Sequence, residues 1–253
     1  MAQSTLRKVN KAIADLDFIP NASARNLRVK RNRVIGLVVP DISNPFFTVL
    51  AKGVNDAVFA ANYILILCNT DESTEKENRY LDVLTGQKVE GILITPARDT
   101  NRALAAIVDK GIRLALVDRA SHGLQACSVA VNDSYGGSLA ISHLYELGHR
   151  NILLLTGNEN IPQVAARNAG IQGTLSKIPE SDRPVMTELR LDSMSAQSSY
   201  ELISNKIELG IDFTGIICGN DLIALGAIRA LREKKIVIPN EVSVIGYDDI
   251  DFA

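Results

Sequence analysis

The polar side chains best suited to chemistry in this chain recur just after short apolar runs. Asp41 and Asn44 follow the run at 34–39, Asp71 follows 64–67, and Asp118 with Arg119 follows 114–117. Asn220 and Asp221 follow 215–217, and Asp248 follows 242–245. Carboxylates and amides gathered in this way suit non-covalent capture of a small polar metabolite, because its hydroxyls must be paired once they leave water. Phe46 and Phe47 add phenyl faces on which a sugar ring could stack. The same residues have a plainer use, since Asp and Asn cap the helix that follows a strand. Asn220 and Asp221, directly before a helical stretch, fit both uses.

Reactive chemistry is poorly provided. The first apolar run is not followed by G-x-G-x-x-G, and neither G-x-x-x-x-G-K-[ST] nor G-x-S-x-G occurs, so the usual phosphate cradles and nucleophile elbow are missing. His143 and His149 stand six apart, a poor spacing for two metal ligands on one helix face. Cys68, Cys127 and Cys218 form no C-x-x-C pair and read as reduced packing residues. The expectation is a binding protein rather than an enzyme, with no metal and no cofactor.

The elements that must position these residues are legible from residue 33 onward. β-branched runs at 34–39, 64–67, 91–94, 114–117 and 129–131 alternate with helical stretches at 46–60, 75–87 and 103–110. A second series has helices at 135–147, 163–175, 196–208 and 222–233, with strands at 152–155, 185–191, 215–217 and 242–245. Near-continuous apolar strands between helices require a parallel sheet covered on both faces. The expected fold is therefore α/β, with two lobes of doubly wound parallel sheet. A chain of 253 residues, 46% of them hydrophobic, is long enough to build both. The expected division is 1–32 as a helical N-terminal segment, 33–132 as the first lobe, 133–248 as the second, and 249–253 as the start of a return to the first. No run reaches the roughly 18 apolar residues of a membrane span, and the polar, basic start carries no signal-peptide stretch, so a cytoplasmic protein is expected.

Charge is divided unevenly. The whole chain is −2, yet residues 1–33 carry eight Lys and Arg against Asp15 and Asp17. A basic arm on an acidic body is the electrostatic arrangement of a module that meets phosphate at one end, or of a merely solvated terminus. Within this arm, Leu6, Val9, Ala12, Ile13 and Leu16 fall at helical spacing before Phe18-Ile19-Pro20 stops the helix. Asn21 can cap a second helix at 22–27, which is too short to be stable alone and is expected to order on binding.

In this order, the segments resemble the LacI/GalR family of bacterial transcription regulators. The resemblance is carried by Ile35-Gly36-Leu37-Val38-Val39-Pro40-Asp41-Ile42-Ser43-Asn44-Pro45-Phe46-Phe47, Val117-Asp118-Arg119, Leu147-Gly148-His149-Arg150 and Arg167 with Gly170. Gly219-Asn220-Asp221 and Gly246-Tyr247-Asp248-Asp249 continue it, and Ala24-Arg25-Asn26-Leu27 is similar to the family's hinge helix. The family's helix-turn-helix has no counterpart ahead of Lys8, and the region beyond its Gly-Tyr-Asp-Asp motif stops at Ala253.

This resemblance implies a periplasmic-binding-protein-like core (type I) with a hinge segment, acting as a ligand-responsive repressor. Arg167, Asn220 and Asp248 match the family's shared effector contacts; Asp41, Asn44, Asp118, Phe46 and Phe47 complete the expected effector site. Arg167→Ala is expected to abolish effector binding and leave the fold intact. On the DNA side, Leu27 matches the leucine wedged between base steps in the minor groove. Arg25, Arg28, Asn21 and Ser23 would reach the backbone. The implied partners are operator DNA, bound weakly and salt-sensitively by this chain, a sugar or similar polar effector, and a second copy in a homodimer, with no membrane. A periplasmic-type sugar-binding protein without a DNA role, and a repressor that has lost its output, are the competing readings.

Overall fold

The computed structural model of the chain describes residues 3–16, 32–98, 102–119 and 124–252. Helix α1 (Gln3–Asp15) is amphipathic in sequence, and Leu6, Val9 and Ile13 are exposed on it. The residues expected at the DNA hinge (Asn21, Ser23, Arg25, Leu27 and Arg28) lie outside the described residues.

The first sheet holds β1 (Val34–Val39), β2 (Ile64–Asn69), β3 (Gly91–Ile94), β4 (Arg113–Val117) and β5 (Cys127–Val129), all parallel, in the order β2-β1-β3-β4-β5. Helices α2 (Pro45–Ala60), α3 (Thr74–Gly86) and α4 (Arg102–Asp109) make the crossovers. Local sequence starts these helices well: Asn44 caps α2 ahead of Pro45, and Ser73 caps α3 ahead of Glu75 and Glu77. Successive residues of β1 face opposite sides of the sheet, Val38 packing with Leu81, Leu84 and Ile92, and Leu37 and Val39 packing with Phe47. Each such leucine or isoleucine contributes about 1.5–3 kcal/mol on burial.

The second sheet repeats the plan. Its strands β6 (Asn151–Thr156), β7 (Val185–Arg190), β8 (Gly215–Cys218) and β9 (Ser243–Ile245) are parallel in the order β7-β6-β8-β9. Helices α5 (Asp133–Glu146), α6 (Pro162–Leu175), α7 (Ala196–Glu208) and α8 (Asp221–Glu233) cover it. Ile152 and Leu154 face Ile141, Leu144 and Ile171, while Leu153 and Leu155 face Ile203, Ile216 and Ile223. Helices α5 and α6 cross with backbones in contact: a Cβ at Gly137 would overlap the Arg167 carbonyl, and one at Gly170 would overlap the Ser134 carbonyl. This crossing sets Arg167 beside Asp133.

Two expectations need correction. The last strand of the first sheet is 127–129 rather than 129–131, because its register is set by pairing Ala115, Leu116 and Val117 with Cys127, Ser128 and Val129. Cys127 is consequently exposed on an edge strand and does no packing, unlike the buried Cys68 and Cys218. His149 acts structurally: its ring nitrogens meet the hydroxyls of Thr214 at 2.8 Å and Ser243 at 3.1 Å.

Candidate ligand-binding cleft

In both sheets the second and first strands lie to one side and the third and fourth to the other, so the chain reverses direction of winding between β1 and β3, and between β6 and β8. Ligands of open parallel sheets bind at such switch points, beyond the carboxyl ends of the strands. Here a cleft of about 590 Å³ opens there, lined from one side by residues after β1 to β4 and from the other by residues after β6 to β9. Asp41, Asn44, Phe46, Phe47, Asp118, Arg167, Asn220 and Asp248 all line it, as do Asp71 and Arg119. Asp221 does not; it turns away and accepts from the Ile250 amide at 3.0 Å. Asn220 serves both of its expected uses, capping α8 through the Ile223 amide at 2.9 Å while lining the cleft.

Two polar contacts run across the cleft. Gln163, the second residue of α6, donates its side-chain amide to the carboxylate of Asp118 after β4. The side chain of Asn44, at the start of α2, approaches the carboxylate of Asp248 after β9 and favours its ionised form. The two contacts are related by the repeated plan of the lobes: each joins the first crossover helix of one lobe to the end of the fourth strand of the other. All four residues are buried or nearly so.

Asp118 and Asp248 are held away from ordinary carboxylate behaviour. Burial pushes Asp248 up to about 7 despite the nearby Arg167, and the carboxylates of Asp221 and Asp118 push the same way. Burial likewise raises Asp118, with Arg119 opposing and Asp133 adding to it. Both carry positive φ, 66° at Asp118 and 113° at Asp248, as do Asp71 and Glu72 at 51° and 57°. Non-glycine residues in this region carry backbone strain, which persists where surrounding contacts over-determine the geometry.

The arginines are anchored by their own lobes. Arg119 is buried and makes a bidentate pair with Glu72 at 2.7 and 2.5 Å, plus a bond to the Pro96 carbonyl at 2.9 Å. Arg167 bonds Asp133 through Nε at 2.7 Å, donates to the Gly219 carbonyl, and lies 3.5 Å over the Tyr247 ring. Only its remaining terminal nitrogen faces Asp248, at 3.9 Å. Against the expectation that the fold is indifferent to Arg167 stand these contacts, which join α5, α6, β8 and the segment after β9.

Gln163, Glu72, Arg98, Asp192 and Met194 line the cleft without having been expected there. Gln163 matters most, because its amide oxygen is buried without a hydrogen-bond partner among the described residues. Its position one residue after Pro162, where a helix starts behind a strand, is the signal that would have found it. What the cleft can do chemically is bind: carboxylates and a free amide oxygen accept from hydroxyls, amides donate, and Phe46 and Phe47, packed edge to face, provide an apolar surface.

A model of the family described as periplasmic binding proteins and sugar binding domain of LacI family matches residues 32–252. The chain is 34% identical over 256 residues to the HTH-type transcriptional repressor PurR of Vibrio atlanticus (strain LGP32), covering 100% of this chain and 75% of that protein. It is 32% identical over 248 residues to the HTH-type transcriptional regulator RegA of Clostridium saccharobutylicum, covering 98% and 74%. Among solved structures, a LacI family transcriptional regulator from Enterococcus faecium with bound ribose superposes with a TM-score of 0.76 at 32% identity, over 87% of this chain and 79% of that one. A periplasmic binding protein/LacI transcriptional regulator from Alkaliphilus metalliredigens QYMF complexed with D-xylulofuranose gives 0.76 at 29% identity, over 87% and 79%. With a parallel-sheet, two-lobe fold of the periplasmic-binding-protein type and a family match running from residue 32 to 252, the chain belongs to the LacI family and carries its ligand-binding core.

Proposed function

We propose that this chain is the sensing core of a transcriptional repressor that binds a sugar between its lobes and couples the bound state to operator DNA through residues 1–32. The observation that carries the reading is the cleft itself, in which hydroxyl-binding groups converge from both lobes and Gln163 already spans them to reach Asp118. A sugar entering there would exchange protein–protein contacts for its own, and so shift the angle between lobes by as much as its affinities for the two arrangements differ. Asp41, Asn44, Asp118, Arg167, Asn220 and Asp248 would take the hydroxyls, with Phe46 and Phe47 against the ring. The ribose and xylulofuranose carried by the two similar proteins support the ligand class.

The regulatory half of the reading rests on the relatives and on charge. Relatives aligned over 98–100% of this chain are HTH-type regulators, and the surplus of Lys and Arg lies in residues 1–33. Asn21, Ser23, Arg25 and Arg28 are assigned to DNA backbone, and Leu27 to a wedge between base steps. Homodimerisation fits the exposed Val49 and Phe59 of α2 and the exposed Ile64, Ile66 and Leu67 of edge strand β2. A cytoplasmic setting follows from this role; no helix among the described residues is long and apolar enough to cross a membrane.

The test is thermal unfolding with and without a panel of pentoses, hexoses and nucleobases, since a ligand of the native state raises the midpoint by mass action. A shift confined to one or a few sugars is expected. A shift by nucleobases alone would replace the sugar assignment.

A further inference from the structure

Resting on the sugar-binding reading above, we infer that the cleft selects an uncharged polyhydroxyl ligand and rejects the phosphorylated or carboxylated form of the same compound. Among the described residues, the lining carries six carboxylates (Asp41, Asp71, Glu72, Asp118, Asp192 and Asp248) against three guanidinium groups and no lysine. Pairing removes Glu72 with Arg119 and Asp71 with Lys76, and Asp133 neutralises Arg167, which leaves Asp41, Asp118, Asp192 and Asp248 against Arg98. Arg98 stands exposed at the rim.

The other device that binds anions, a helix N-terminus, is also taken at α2, α3 and α8. Asn44, Ser73 and Asn220 cap α2, α3 and α8 with their own oxygens. Helix α6 has no side-chain cap, and the carboxylate held at its first turn through Gln163 is that of Asp118. The buried, unpartnered oxygen of Gln163 points to the same ligand chemistry. It needs a donor, which a ligand hydroxyl supplies and a phosphate dianion or carboxylate placed at that oxygen would not.

The test is calorimetric titration of the full chain with matched probes: D-ribose against ribose 5-phosphate, D-xylulose against xylulose 5-phosphate, and D-glucose against glucuronate. The neutral member of a binding pair is expected to be at least about tenfold tighter than its anion, with the gap narrowing as salt screens the carboxylates. Asp192→Asn, at the exposed rim, should narrow the gap, and Asp118→Asn should narrow it further in protein shown by its melting curve to be folded. An anion that binds as tightly as its neutral partner overturns the inference and leaves the sugar reading standing. A chain that binds no member of the pairs and is shifted by no sugar of the thermal panel removes the sugar reading, and the inference with it.

Discussion

Gln163 and Asp118 belong to different lobes, 45 residues apart, and meet through a hydrogen bond that closes across the cleft. Asn44 approaches Asp248 in the reverse sense, from the first lobe to the second. Replacing Gln163 with Leu should leave the Asp118 carboxylate buried without its amide donor, at a cost of about 1–3 kcal/mol. For a chain of this size that corresponds to a melting point lower by several degrees. Small-angle scattering should show a more open particle at the same time; an unchanged radius of gyration would show that other contacts hold the lobes.

Asp248 makes stability depend on pH. Its carboxyl titrates near 7 when folded and near 4 when unfolded, so the folded chain holds a proton that the unfolded chain has released in between. The contribution is fully present below about pH 4 and is lost as pH rises through 7. Urea unfolding of the wild type should therefore weaken between pH 5 and 7.5 relative to Asp248→Asn. Parallel curves for the two proteins would mean that Asp248 is ionised throughout.

Arg167→Ala should lose ligand binding and stability together. It strands Asp133, which is buried, without its partner, and breaking such a pair costs about 3–5 kcal/mol. Arg167→Lys should recover part of the stability but not the bond to Gly219 or the stacking on Tyr247. A denaturation midpoint unmoved by Arg167→Ala would reduce the residue to a ligand contact alone.

Two glycines of one helix should respond oppositely to alanine. At Gly170 the added carbon meets the Ser134 carbonyl, so α5 and α6 must part, with a loss of about 1–3 kcal/mol or more. At Gly173 nothing lies within 4 Å, and alanine should add about 0.5–1 kcal/mol through helix propensity. Calorimetric melting of the two variants checks the close crossing directly.

If α2 and β2 form the dimer face, charged residues at Val49 and Phe59 should leave a folded monomer. Sedimentation equilibrium measures this. A wild-type chain that is monomeric at high concentration would remove the dimer from the proposed function.

Most of the fold was open to reading because parallel strands buried on both faces must be apolar runs; 34–39, 91–94 and 196–208 match to the residue, and the other boundaries fall within two. The residues around the cleft were legible for a related reason, as polar groups at the carboxyl ends of such runs are few. The displaced strand at 127–129 was not, because its side chains are all exposed and only the register with β4 places it. Nor were the partners of Arg167, or the reach of Gln163 to Asp118. Those depend on how helices cross and lobes meet, which no local pattern encodes.

The reciprocal bridges bear on how a ligand would be read once inside. A site whose two sides repeat one plan would offer a small ring compound two poses related by a half-turn. The halves differ where the arginines lie: Arg119 is locked to Glu72 on one side, while Arg167 keeps one nitrogen toward Asp248 on the other. For a sugar bound as proposed, this asymmetry would help to tell the two poses apart.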